Sequence, residues 1–398
     1  MSINGPLSGV KVLDLTRVLA GPYSAMMMAD MGADVIKIEV PNKGDDSRQF
    51  APFVNGESAY YMNLNRNKKG VTLNLKQPRG REIFLNMVRK ADIVLENYRP
   101  GTMEKLGLGY EDLKKVNPGI IYGCVSGFGH YGPYKNRAGY DIIGQAMGGL
   151  MSTTGWPDGA PTRTGTAMAD VLAGLSVTIG VLAALRSRMI TGEGEKVDVA
   201  LVDSVVSSLE IINQIYLTSG KIPERIGNRY ESVYPYDTFN TKDGSMVIAC
   251  GNDKLWKLLC EVMEKPDLFL DERFDKNPKR VKAHAELKPL VESWTMNNTT
   301  EDAVNRLLKV GVPACPINTI EMVTKDPHIS GAREMFFDVV HPIAGKTTLT
   351  GSQIKFSKAT QEERTPSPLL GQHNKEVYSD LFGFTEEEIE NLINEGIL

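Results

Sequence analysis

Short apolar runs alternate with amphipathic stretches through the first half of the chain. VKVLDL (10–15), DVIKIE (34–39), VTLNL (71–75), DIVLEN (92–97) and IIYGCVSGF (120–128) are rich in β-branched residues and mostly apolar. That is the pattern of strands buried on both faces. Between them, PYSAMMMADMG and the segments 78–91 and 103–116 space their apolar residues as helices do. The alternation predicts βαβ units around a mainly parallel sheet. A long helix is predicted from about Asp170 to Ile190, with Arg186 and Arg188 in its last turn and Gly192 just beyond. KVDVAL then reads as a strand leading into a helix through SVVSSLEIINQIYL.

The pattern changes near residue 220. GKIPERIGNRYESVYPYDTF lacks periodicity and is rich in Gly, Pro, Asn and Tyr, as a linker is. Residues 236–318 read as a smaller unit, with a hairpin at TKDGSMVIAC and helices at DKLWKLLCEVM and TTEDAVNRLLKVG. TTLTGSQIKFS returns to strand character, and the tail holds two polar helical segments.

The 398 residues suit two or three domains. A 41% hydrophobic, 24% charged chain is ordinary globular protein. The net charge of -4 argues against nucleic acid as the main partner. Cys124, Cys250, Cys260 and Cys315 lie far apart with no CxxC, so neither a zinc site nor a disulfide framework is expected. Reduced thiols and a cytoplasmic location are the expectation. The N-terminus lacks the basic and apolar regions of a signal peptide. The long apolar segment after Asp170 carries Gly174, Ser176, Thr178 and Gly180. It reads as a buried helix rather than a membrane span.

The five histidines form no HExxH, and no metal is expected. GxSxG and P-loop motifs are missing, and no glycine recurs between Gly21 and Gly32, which disfavours a dinucleotide fingerprint. NRNKKG (65–70), Lys76, ENYRPG (96–101) and Lys105 place cations and amides near predicted strand ends. A phosphate-bearing ligand and an ordinary solvated loop both fit that pattern. Asp170 stands alone among small residues at the head of the long helix. It can be an N-cap. It can equally be a nucleophilic carboxylate shielded from water, with Gly165, Ala167, Ala169 and Gly174 leaving room for a substrate.

LSGVKVLDLTRVLAGP, GADVIKIE, NRNKKGVTLNLK, ADIVLENYRPG, TAMADVLAG, TGEGEKVDVAL and LLGQHNKEV follow one another along the chain. In that order and spacing the chain resembles the family III CoA transferases, the CaiB/BaiF group that includes formyl-CoA transferase. The resemblance implies an α/β fold: a Rossmann-like large domain built from both chain ends, a smaller α+β domain, and an interlocked homodimer. It places the large domain at 1–220 and 320–398, with the linker and small domain at 221–319. It implies transfer of CoA from an acyl-CoA to a carboxylic acid, with no tightly bound cofactor and no membrane partner. Asp170 takes the position of the family's nucleophile. CoA-contacting positions carry over to Leu19, Ala20, Val40, Leu73, Asn74, Leu75, Lys76, Asn97, Tyr98, Arg99, Lys105, Arg137, Ala138, Gly139 and Tyr140. Leu19 and Val40 differ from the Gln and Arg common in formyl-CoA transferases, and IGNRYESVYPY is short where those enzymes carry a glycine-rich loop. The related α-methylacyl-CoA racemases are the alternative. They have a histidine where this chain has Tyr140, and racemisation needs an acid and a base on opposite faces of the α-carbon.

Overall fold

Six strands pair in parallel into one sheet, ordered β3-β2-β1-β4-β5-β6. They are β1 (Lys11–Asp14), β2 (Asp34–Glu39), β3 (Lys69–Thr72), β4 (Ile93–Glu96), β5 (Ile121–Ser126) and β6 (Lys196–Ala200). The computed structural model describes residues 5–358 and 364–398. Successive side chains leave a strand on opposite faces, and both faces here are covered. On one, Val12, Ile93 and Ile121 pack with Ala25 and Met28 of α1 (Ala20–Asp30) and with Ala173, Val177 and Val181 of a later long helix. On the other, Leu13, Val94 and Tyr122 pack with Phe84 and Met87 of α2 (Pro78–Val88) and with Val377 and Tyr378 near the C-terminus.

The first-half elements follow the sequence pattern, with shifts that have local causes. β3 ends at Thr72 because the backbone then turns toward the tail, where the Asn74 N–H meets the Ile397 carbonyl at 2.7 Å. The helix expected over 103–116 is two short ones, Thr102–Lys105 and Tyr110–Val116. Between them Gly107 takes φ +70°, the left-handed region that ends a helix. α3 (Asp141–Met147) precedes the long helix α4, which starts at Met168, two residues before the predicted Asp170, and runs to Thr191 with Gly192 as left-handed cap. By length and composition α4 alone among the described helices could cross a membrane. Its Ala169, Ala173, Val177, Val181 and Ala184 are instead buried in the sheet-packing core. α5 (Leu201–Ser208) follows β6.

The chain divides into two compact units, Met1–Leu150 with Arg163–Thr218 and Gly331–Leu398, and Met151–Thr162 with Ser219–Ser330. The second has three antiparallel strands, β7 (Tyr236–Asn240), β8 (Ser245–Ala249) and β9 (Ala314–Pro316), ordered β9-β8-β7. Its core gathers Phe239, Trp256, Phe274, Leu287 and Leu307. Arg280, wholly buried there, gives its guanidinium to the carbonyls of Tyr234 and Phe274 and to Asp253, so its charge is not stranded. In the first unit, the hairpin of β10 (Phe336–His341) and β11 (Gly345–Thr350) precedes α6 (Asn374–Phe382) and α7 (Glu386–Asn394). The start of α6 shields the edge of β3. The His373 ring accepts the Gly70 N–H at 3.0 Å and the Asn374 side chain accepts that of Thr72 at 2.9 Å.

Beneath the carboxyl ends of β1 and β2 lies a chain of buried charges. Lys68 Nζ donates to Asp14 at 2.9 Å, and Lys37 Nζ donates to Asp45 at 3.0 Å and to the Thr16 carbonyl at 2.8 Å. All four charged side chains are sealed from solvent. Burial works against the Asp45 charge, but Lys37 and the Ser47 N–H outweigh it and hold its pKa down to about 2. Burial likewise opposes the Asp14 charge, and Lys68 and Lys37 outweigh it and keep it below the usual carboxylate value. Within NRNKKG, Lys68 and Arg66 are buried structural cations, Arg66 in a 2.6 Å pair with Asp30, whereas Lys69 is partly exposed and pairs with Glu376 at 3.0 Å.

Asp45→Asn leaves Lys37 short of its partner and should cost about 3–5 kcal/mol of unfolding free energy at neutral pH. A depressed carboxylate pKa contributes stability above its unfolded value and loses it as pH falls through the folded value. The gap between wild type and variant should therefore be level above about pH 4 and shrink toward pH 2. Denaturant titrations across that range check it; a gap unchanged between pH 4 and pH 2 contradicts it.

Candidate active site

In a sheet ordered 3-2-1-4-5-6, the chain leaves β1 to one side and returns on the other, which opens a crevice at the carboxyl ends of β1 and β4. A cavity of about 370 Å³ sits there. The turn after β1 (Arg17, Val18, Leu19, Ala20), the turn after β4 (Asn97, Tyr98, Arg99, Pro100) and the end of β5 (Ser126, Gly127) line it. Arg137 to Tyr140 and Asp170 complete the wall.

The first turn is held under strain. Val18 has φ +68°, a left-handed conformation that is an outlier for a β-branched residue. Its N–H is held by both Asp45 carboxylate oxygens, at 3.1 and 3.3 Å. One residue earlier, the Asn97 amide bonds the Arg17 backbone twice: it accepts the N–H at 2.8 Å and donates to the carbonyl at 2.7 Å. Asn97 thus locks the β1 and β4 turns together. Gly21 lets α1 start close by; a Cβ there would come within 2.4 Å of the Thr16 side chain.

The 137–140 segment crosses the end of β5 at a glycine pair. A Cβ on Gly139 would lie 2.4 Å from the Gly127 Cα, so this crossing needs both residues bare. Arg137 stacks on Tyr134 with its guanidinium carbon 3.6 Å from the ring centre, and Tyr134 meets Phe128 edge-on. Among the described residues, neither the Arg99 nor the Arg137 guanidinium has a hydrogen bond or ion pair, and both are exposed. Arg17 pairs with Asp46, but its Nε is buried without a partner. Three arginines with spare donors at one cavity suit phosphate or carboxylate oxygens.

Asp170 occupies the third position of α4, partly buried. It is not the helix cap. The N-cap position is Ala167, and the capping bond comes from Asp141, whose Oδ1 accepts the Ala169 N–H at 2.8 Å. Among the described residues, no donor reaches the Asp170 carboxylate. Burial, and then the Asp141 charge, push its pKa up to about 7. Tyr60 stands near enough that, after burial, Asp170 is the largest influence raising its hydroxyl to about 12.

Behind the β4 turn, Glu96 accepts the Tyr98 N–H at 2.7 Å and the Tyr122 hydroxyl at 3.1 Å. Burial pushes Glu96 up to about 8, against both bonds. Glu96, Cys124 and His130 offer ligand atoms within 4.8 Å of one another, the single such group among the described residues. Lys196 Nζ, however, lies 3.0 Å from His130 Nδ1. An ammonium there occupies the Nδ1 lone pair and leaves the proton on Nε2, 3.6 Å from Glu96. A protonated ring nitrogen does not ligate metal; His130 Nε2 is buried without a hydrogen-bond partner, and of the trio only Glu96 bonds the Tyr98 turn.

Of the residues expected at the site, the cavity wall brings together Leu19, Ala20, Asn97, Tyr98, Arg99, Arg137, Ala138, Gly139, Tyr140 and Asp170. Val40, Leu73, Asn74, Leu75, Lys76 and Lys105 lie outside it. The Leu73 side chain is in the core, and Asn74 bonds the tail backbone at Gly396 and Ile397. Arg17, Asp46, Ser126 and Gly127 also line the cavity and were missed in the sequence. Strand-end position alone could have flagged Ser126 and Gly127.

Residues 7–374 match the profile of CoA-transferase family III. The chain is 39% identical over 394 residues to succinyl-CoA:glutarate CoA-transferase of Mus musculus, covering 99% of this chain and 90% of that protein. It is 40% identical to acetyl-CoA:oxalate CoA-transferase of Acetobacter aceti, covering 92% and 93%. A crystal structure of a CaiB/BaiF family protein from Brucella suis superposes with a TM-score of 0.84 at 41% identity, covering 95% of this chain and all of that one.

Val18→Gly removes the left-handed penalty and should raise the unfolding free energy by about 1 kcal/mol. A loss of stability in thermal or denaturant unfolding contradicts the strain assignment.

Proposed function

This chain belongs to CoA-transferase family III, and from that premise we propose that Asp170 is the nucleophile that carries CoA from an acyl-CoA to a carboxylic acid. One observation supports this most: an unpartnered carboxylate lines the same cavity as the free guanidiniums of Arg99 and Arg137. The guanidiniums suit the phosphates of CoA. The carboxylate, stripped of donors and partly withdrawn from water, suits attack on a thioester carbonyl.

The steps balance without metal or ATP. The Asp170 carboxylate attacks the donor acyl carbonyl and expels CoA thiolate, leaving an aspartyl–acyl anhydride. The thiolate attacks the aspartyl carbonyl and releases the donor acid, leaving an aspartyl–CoA thioester. The acceptor carboxylate attacks that thioester and expels the thiolate again. The thiolate then takes the new acyl group and frees Asp170. Water must be kept from the anhydride, and CoA bound along the β1 and β4 turns would hold the thiolate within reach.

The acceptors named for the relatives, glutarate, D-citramalate, mesaconate and oxalate, are all dicarboxylic acids. We extend a dicarboxylate acceptor, with succinyl-CoA or acetyl-CoA as donor, to this chain. A homodimer belongs to the same proposal. It would cover the apolar side chains α4 exposes, Ile179, Met189 and Ile190, 67–81% accessible in the single chain. Sedimentation equilibrium should return a dimer, and a monomer at micromolar concentration sinks that part. The racemase alternative gains nothing, because among the described residues the cavity wall holds no histidine.

Asp170→Ala should lower CoA transfer by at least ~10³-fold while CoA still binds. Substantial residual transfer refutes the assignment. Attack needs the ionised carboxylate, and its pKa is raised to about 7. The wild-type rate should therefore climb about tenfold per pH unit below that value and level off above about pH 8; a profile flat from pH 5 to 8 contradicts it.

A further inference from the structure

We propose that Asp141 is a positioning residue for Asp170: it takes the helix-start N–H that could have served the nucleophile, and sets a second carboxylate against it. The inference rests on the reading of Asp170 as nucleophile. Its basis is the wiring at the head of α4. Asp141 opens α3, and its Oδ1 accepts the Ala169 N–H of α4 at 2.8 Å. Its Oδ2 accepts from Gln145, one turn along α3, also at 2.8 Å. Gln145 is buried, and its carbonyl accepts the Thr164 N–H at 3.0 Å. One carboxylate and one amide thereby fix both the entry loop and the first turn of α4.

A carboxylate in the first turn of a helix normally gains from free N–H groups and the dipole. Here Asp141 takes the capping bond, and Asp170, one residue beyond Ala169, goes without. Other charged and titratable groups stand nearby. Tyr60 comes from the Ala59–Leu64 helix. The cavity wall adds Arg17, Asp46, Tyr98, Arg99, Arg137 and Tyr140. Apart from burial, only Asp141 weighs on the Asp170 charge. The pair resembles two carboxylates sharing a site, where one is left the stronger base. Such an oxygen gains more on bonding to an acyl carbon than one already satisfied by donors.

The test separates charge from scaffold. Asp141→Asn and Asp141→Ser each keep a neutral oxygen that can cap Ala169. The Asp170 carboxyl 13C resonance is titrated in the full-length wild type and in both variants. The midpoint should fall by about 1 pH unit in the variants, and the acid limb of kcat against pH should move with it, with KM for acyl-CoA within about twofold. An unmoved midpoint, or a moved midpoint with an unmoved acid limb, overturns the proposal. A merely structural Asp141 would lower stability and shift neither. Asp170→Ala is assayed alongside. Transfer surviving there refutes the nucleophile itself, whereas the carboxyl titration still reports on the Asp141–Asp170 coupling.

Discussion

The buried charges under the first βα turn set the geometry on which everything above them depends. Asp14, Lys68, Lys37 and Asp45 have no solvent to fall back on, so each must keep its partner. Pairs of this kind add little net stability over well-packed apolar residues, yet removing one member is costly. Their effect here is positional. Asp45 holds the Val18 N–H, and Lys37 holds the Thr16 carbonyl. The turn is thus fixed in a conformation that a valine would not adopt unaided.

From that fixed turn the site assembles by sheet order. The β1 and β4 turns face each other across the crevice and are tied by Asn97. The Gly127–Gly139 crossing brings Arg137 and Tyr140 to the same wall. α4 packs on α1 and the sheet through small side chains and delivers Asp170 from below. Raising a carboxyl pKa from 3.8 to about 7 corresponds to roughly 4 kcal/mol against its charged form. The folded protein bears that cost fully only above about pH 7, and in the proposed mechanism covalent capture of the carboxylate by an acyl group would relieve it.

Much of this architecture was legible in the sequence, because strands buried on both faces read as apolar runs and the cap at Gly192 has a plain local signal. Asp170 stood out because no other charge interrupts its surroundings. What stayed hidden depends on distant partners. Lys37 sits inside the DVIKIE run as a charge that should have broken the strand, and Lys68 looked like a loop cation. Neither residue announces that Asp14, 54 positions before Lys68, lies beside them. The left-handed Val18 has no local signature, since its cause is Asp45, 27 residues on. Asp170 suggested a helix cap; the cap is Asp141, supplied by another helix.

If Asp170 is the nucleophile, oxygen atoms pass through its carboxylate. In the proposed steps, the acceptor carboxylate leaves one of its oxygens on Asp170, and the next turnover carries an Asp170 oxygen out on the released donor acid. Turnover with an acceptor labelled in both carboxylate oxygens with 18O, followed by mass spectrometry of the Asp170 peptide and of the released acid, tests this directly. One 18O should appear in Asp170 and, after further turnover, one in the donor acid. Efficient transfer with neither labelled would rule Asp170 out as the nucleophile.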